Sequence, residues 1–177
     1  MADSPPFYLD KIMKISEITD LGNVPVDTRN ITKLLPSSEH EGYLEGFKIM
    51  TYTESSPIFV FLVDDDDKPA CAAMFNQHST GIFIANRVVT YPGFEGKRLA
   101  AKIYKWLVDN GLEIRSDYSQ TSSGKTLWTK SLPAIGLNPM LLDTSTNEIV
   151  PPEHMDKVRV YYPVGDTNGS RYIWVLK

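Results

Sequence analysis

The chain is poor in the residues that anchor the most easily read chemistries. It has one cysteine, Cys71, in 177 residues, so neither an intrachain disulfide nor a cysteine-based zinc cluster is available to it. Cys71 lies in an apolar stretch and reads as a buried, inert thiol. The three histidines, His40, His78 and His154, are dispersed without the paired spacing of a metal site. Glu39-His40-Glu41 lacks the helical spacing of a zinc-protease motif. Positive charge is not in excess either. Lys and Arg number 18 against 22 Asp and Glu, a formal net charge of −4, which argues against a general nucleic-acid binder. A local basic patch and a nucleotide amine as substrate stay open. No apolar run reaches membrane-spanning length. The first residues, Met1 to Pro6, lack the basic and apolar regions of a signal peptide. The expectation is a cytoplasmic protein with no membrane partner.

What is present is enough for one core. With 42% hydrophobic residues, the chain fits a single domain over 1–177, with a mixed segment at 1–40 and strands at 133–177. Phe7 to Ile18 fits a short strand or a helical turn, and Leu21 to Leu35 short helical pieces broken by Gly22 and Pro25. Phe47–Tyr52, Pro57–Val63, Ala70–Gln77 and Gly81–Thr90 read as successive strands. The acidic run Asp64–Asp67 is a solvated hairpin turn rather than a calcium loop, whose ligands are spaced. After Gly96, Leu99, Ala100, Ile103, Tyr104, Leu107 and Val108 fall on one helical face, and Asn110-Gly111 ends the helix. Leu112–Arg115 reads as a strand and Thr121–Leu132 as a short helix. Leu137–Val150 holds a strand and a turn at Thr146-Asn147. Val158–Pro163 and Arg171–Leu176 flank a loop at Gly165–Gly169 as a hairpin. Residues 36–42 and 151–157 read as loops. The pattern gives an α+β fold with a mostly antiparallel central sheet.

The most informative stretch runs from Val88 to Asn110: a β-branched strand end, a Pro92-Gly93 turn, and a helix with a basic first turn. Gly93 and Gly96 permit backbone conformations closed to other residues. Amides from about Glu95 to Ala100 are the unpaired donors of the helix start, a natural seat for phosphate. Lys97 and Arg98 sit near the positive end of the helix dipole, which is unfavourable unless an anion binds. The same features also describe a plain basic turn on a helix packed against a sheet, and both readings stand on the residues alone.

This stretch resembles the GCN5-related N-acetyltransferase superfamily. Val88-Val-Thr-Tyr-Pro92 matches the family's strand end, and Glu95-Gly-Lys-Arg-Leu-Ala100 occupies its binding loop. Glu95 stands where the family has Arg or Gln, Arg98 where it has the first Gly of a pair, and Ala100 agrees. The segment Ser116 to Trp128 is also similar to acyltransferase-like proteins of phage or prophage origin. The resemblance implies an acyltransferase fold with a strand-turn-helix cofactor motif, and acetyl-CoA as cofactor. It implies pyrophosphate on the amides of Glu95, Gly96, Lys97, Arg98, Leu99 and Ala100, and the pantetheine arm along Val88 and Val89. Gln120 and Trp128 fall at the positions of the family's Asn and thiolate-supporting Tyr. An indole N–H donates a hydrogen bond but is no acid.

Acyl transfer to an amine needs a base and a donor for the developing oxyanion. The Val89 N–H is the family-like donor. Asp117, His78 and Glu54 are the candidate bases, with Asp117 favoured because Tyr118, Ser119 and Gln120 follow it; Tyr118 is a candidate acid. Local capping accounts for any one of these polar residues. An acidic surface suits a cationic small-molecule or protein amine as acceptor, and a homodimer is compatible with the chain. The expected activity is an acyl-coenzyme A-dependent N-acetyltransferase. The alternative is a catalytically degenerate member of the fold serving as an interaction module.

Overall fold

The computed structural model describes residues 28–54, 57–118, 122–150 and 171–177. The sequence readings for residues before 28, for the loop at 151–157, the strand Val158–Pro163 and the loop Gly165–Gly169, and for Ser119 and Gln120, lie outside the described residues.

Nine described strands form one sheet: β1 (Glu39–Leu44), β2 (Phe47–Tyr52), β3 (Ile58–Val63), β4 (Pro69–Ser79), β5 (Ile82–Thr90), β6 (Glu113–Ser116), β7 (Met140–Asp143), β8 (Glu148–Val150) and β9 (Tyr172–Leu176). Their spatial order is β1-β2-β3-β4-β5-β6-β9-β7-β8. Every neighbouring pair is antiparallel except β5 and β6, which run parallel. A parallel pair needs a crossover. Helix α1 (Leu99–Asp109) supplies it. The expected α+β class, mostly antiparallel with a strand-turn-helix unit, is what the chain adopts.

The six residues of β3 are all buried, so this strand must be covered on both faces. Ile58, Val60 and Leu62 join a cluster with Leu99, Ile103, Tyr104 and Leu107 of α1. Phe59, Phe61 and Val63 join a second cluster with Leu34 and Leu35, which belong to a 3-10 helix over Thr28–Ser37. One helix thus covers each side of the central strands. α1 ends as its Asn110-Gly111 sequence requires: Gly111 N–H bonds Val108 O (2.9 Å) and Leu112 N–H bonds Leu107 O (3.1 Å), the paired bonds of a Schellman motif.

The acidic turn between β3 and β4 is closed by its own carboxylate, since Asp64 Oδ1 accepts the amides of Asp66 (3.0 Å) and Lys68 (2.8 Å). Two sequence readings change. Residues 36–42 do not form a loop: β1 begins at Glu39 as a largely exposed edge strand, and exposure removes the apolar alternation that marks a strand. The expected helix over Thr121–Leu132 is a short α-helix, α2 (Ser122–Thr126), that widens into a π-helical turn over Leu127–Ser131.

Candidate functional site

The site arises where two strands part. β6 pairs its four residues Glu113–Ser116 with Ile82–Ala85 and stops, while β5 continues along β4 to Thr90. Among the described residues, Asn86 to Thr90 therefore has no strand neighbour on the β6 side. The parting coincides with a bulge: Ala85 faces Phe75 and Arg87 faces Met74, leaving Asn86 as the extra residue. Bulges end pairing and re-aim side chains in this manner. A cleft of about 450 Å³ opens there. Its walls are Asn86 to Thr90 on one side and Asp117 on the other, with Ala100 and Tyr104 of α1 and Ser123, Gly124, Leu127 and Trp128 of the following helix. The π turn, closed by Leu132 N–H to Leu127 O at 3.0 Å, carries Leu127 and Trp128 to this wall.

A second groove of about 550 Å³ adjoins the first, sharing Thr90, Ala100, Ser123 and Leu127 with it. It passes over Glu95, Gly96, Arg98 and Leu99 at the start of α1. The first intrahelical bond is Lys102 N–H to Arg98 O at 3.1 Å, so the amides of Leu99, Ala100 and Ala101 precede it, and no side chain caps the helix. Those three amides are the donors a helix leaves unpaired at its N-terminus. Arg98 itself sits in the left-handed region at φ 55°, ψ 32°. That region is open to non-glycine residues at a modest cost, so an arginine can hold the loop shape for which glycine is the usual choice. Gly93 (φ 90°) and Gly96 (φ 76°) supply the other two positive-φ positions.

The charges of the turn separate. Glu95 folds back, its Oε2 accepting the Gly93 N–H at 2.8 Å. Lys97 Nζ lies over the rings of Phe94 (5.3 Å) and Phe47 (5.8 Å), a cation–π arrangement that occupies it away from the groove. Arg98 alone of the two cations lines the groove.

Of the sequence-derived candidates, Val88, Val89, Ala100, Asp117 and Trp128 come together in the cleft, and Glu95, Gly96, Arg98 and Leu99 in the adjoining groove. Asp117 Oδ1 accepts the Tyr118 N–H at 2.6 Å. Tyr118 is 48% exposed and is not part of the cleft wall. His78 and Glu54 are exposed and also lie outside it. Gln120 is outside the described residues. The Val89 amide, expected as a donor, does not face the cleft. Tyr91 N–H donates to Ala70 O at 3.0 Å, and the register is unbroken from Cys71↔Thr90 to Ala73↔Val88. Amides alternate between the two sides of a strand, so Val89 points its N–H at β4, and Val88 and Thr90 turn theirs to the cleft.

The sequence reading missed Asn86, Arg87, Ser123, Gly124 and the cleft role of Tyr104. A bulge carries no reliable sequence signal, and Tyr104 was hidden among the apolar residues of the helix face. Trp128 is 2% exposed, and its ring stands edge-on to Tyr104 at 5.6 Å.

No family model and no curated protein matches the chain. Among solved structures it is similar to the ribosomal-protein-S18-alanine N-acetyltransferase from Escherichia coli. The sequence identity is 10%, the TM-score 0.36, and the match covers 99% of this chain and 89% of that one. A likeness so slight adds nothing to the strand order and the cleft themselves.

Proposed function

We propose that the protein is an acyl-coenzyme A-dependent N-acyltransferase that passes an acetyl group directly to an amine. The parting of β5 from β6 carries this reading. It leaves a strand edge with outward amides at Val88 and Thr90, continuous with the unpaired amides at the start of α1. An acyl-coenzyme A is a long ligand with a diphosphate near one end and an amide-bearing arm leading to a thioester. The residues present fit it in that order. Leu99, Ala100 and Ala101 amides with Arg98 would hold the diphosphate, and the strand edge at Thr90 would pair with the arm as an added strand does. When bound, the ligand supplies an activated acyl carbon.

The chain's own groups then have defined tasks. Asp117, across the cleft from Val88, accepts the proton that the attacking amine gives up. The Val88 N–H donates to the acyl oxygen as charge develops on it. Leu127 and Trp128 keep water from the inner wall. The acceptor we favour is a cationic amine, small or on a protein, drawn by the net charge of −4.

A second reading, an inactive member of the same fold used as an interaction module, draws on Trp128 standing where the resemblance places a tyrosine. Calorimetric titration with acetyl-coenzyme A, coenzyme A and a phosphate-only ligand separates the two. Saturable binding with transfer across an amine panel supports the enzyme, and binding without transfer or hydrolysis supports the module. Absence of thioester binding overturns the enzyme. A folded Gly96→Val variant should bind acetyl-coenzyme A at least roughly tenfold more weakly, because a β-branched residue resists positive φ.

A further inference from the structure

Two charged residues border the cleft, Arg87 and Asp117. No ion pair joins them among the described residues, and none engages Arg87. Neither residue borders the groove proposed for the diphosphate. The bulge decides the side from which Arg87 enters. Residues opposite one another in an antiparallel pair share a face of the sheet. With Asn86 as the extra residue, Arg87 falls opposite Met74, which packs with Phe59 and Phe61 on the side away from α1. Without that residue the alternation would have turned Arg87 toward α1. Val88 and Thr90 lie opposite Ala73 and Cys71, which belong to the cluster packed with α1. An acyl donor laid over the start of α1 thus leaves the Arg87 side of the cleft to the acceptor. There the acceptor meets one cation and one anion. An amine that is only cationic is attracted by Asp117 and repelled by Arg87. An amine that also carries an oxyanion close to its nitrogen suits both.

We propose that Arg87 determines acceptor specificity, and that the acceptor is a small primary amine bearing a carboxylate or phosphate a few bonds from its nitrogen. This rests on the acyl-coenzyme A reading above. The guanidinium presents parallel N–H donors that match two oxygens of such a group. Held there, the molecule has its nitrogen directed to the Asp117 side of the cleft. The net charge of −4 draws cationic amines in general, and Arg87 discriminates among them by disfavouring those without an anion. Arg87 makes and breaks no bond in the transfer itself.

The test uses matched amines with acetyl-coenzyme A as donor: a panel of amino acids against their carboxamides, phosphoethanolamine against ethanolamine, and an alkyl diamine with no anion. In the wild type, kcat/KM should favour the anionic member of a pair at least roughly tenfold, the size of a hydrogen-bonded charge contact. The pair that shows the preference identifies the anion as carboxylate or phosphate. Arg87→Gln should cut the preference to under about threefold, chiefly by raising KM for the anionic amine, while acetyl-coenzyme A affinity holds. Arg87→Lys should restore part of it. Arg87 is exposed, so both variants should keep the wild-type thermal midpoint. The same order should appear in calorimetric titration of each amine into the coenzyme A complex, which reads the site without turnover. A wild type that takes the carboxamides, ethanolamine or the diamine as well as the anionic amines overturns this proposal alone. So does an Arg87→Gln variant that keeps the preference, or a coenzyme A complex that binds none of the anionic amines. A wild type that does not bind coenzyme A overturns the acyl-coenzyme A reading and this proposal together.

Discussion

The carboxylate of Glu95 accepts the amide of Gly93 at 2.8 Å, two residues back along the turn that precedes α1. The negative charge at the mouth of the proposed diphosphate groove is therefore engaged by the turn itself. It stabilises the positive-φ conformation at Gly93 and points back along the chain instead of forward to Leu99.

That arrangement predicts a gain of binding. Glu95→Gln retains an acceptor for Gly93 but removes a full charge near the anion. Acetyl-coenzyme A affinity should rise about two- to fivefold, the size expected of a solvent-exposed charge at this range. Glu95→Ala should gain less, because the turn loses its bond. Titration of the three proteins at equal ionic strength decides it. A weaker Glu95→Gln would mean that the carboxylate serves the ligand directly.

Arg98 combines a left-handed backbone, φ 55° and ψ 32°, with a side chain on the groove. Two substitutions separate these properties. Arg98→Ala keeps the conformational cost and loses the charge. Arg98→Gly loses both, and should be the more stable of the pair by about 1 kcal/mol in denaturant unfolding. Both variants should bind acetyl-coenzyme A less tightly and with a shallower dependence on salt. Equal stability of the two would exclude the left-handed conformation.

Asp117 closes the cleft opposite Asn86 to Thr90. Asp117→Asn preserves an oxygen for the Tyr118 amide, which the carboxylate now accepts at 2.6 Å, so the chain end of β6 should keep its shape. If Asp117 is the base, kcat/KM for the amine should fall about 10²- to 10⁴-fold while acetyl-coenzyme A affinity holds. A loss under threefold would move the base elsewhere.

The strands flanking the cleft were legible because burial wrote itself into them. The apolar run of β3 read as a strand, and Asn110-Gly111 named the end of α1. The phosphate-turn hypothesis likewise followed from two glycines and a basic helix start. What could not be read depended on partners distant in sequence. The end of β6 at Ser116 is defined only by its register against β5, and the bulge at Asn86 only by β4. One residue of alternation, set by Tyr91 and Ala70, decides that Val88 rather than Val89 offers its amide. Tyr104 looked like any core aromatic. Only the wall it shares with Trp128 distinguishes it.

Asp143 gives the far side of the sheet a dependence on acid. This buried carboxylate accepts Arg171 Nε at 2.8 and 2.9 Å, is bonded by Arg171 Nη2, and takes the Ser145 amide at 2.9 Å and hydroxyl at 2.7 Å. It links the end of β7 to the residue before β9. The Arg171 hydrogen bond, with Ser145 adding to it, holds the carboxyl well below the usual range. A carboxyl with a lowered folded pKa binds its proton more readily when unfolded. Its contribution is therefore complete above the ordinary carboxylate value of about 3.9 and is lost as pH falls toward the folded value. Asp143→Asn should be less stable than the wild type at pH 7, with the gap between the two narrowing steadily below about pH 4. Denaturant midpoints measured from pH 7 down to pH 2.5 would show this convergence. Parallel curves would mean that Asp143 has the same affinity for protons in both states and that the Arg171 pair does not stabilise the sheet.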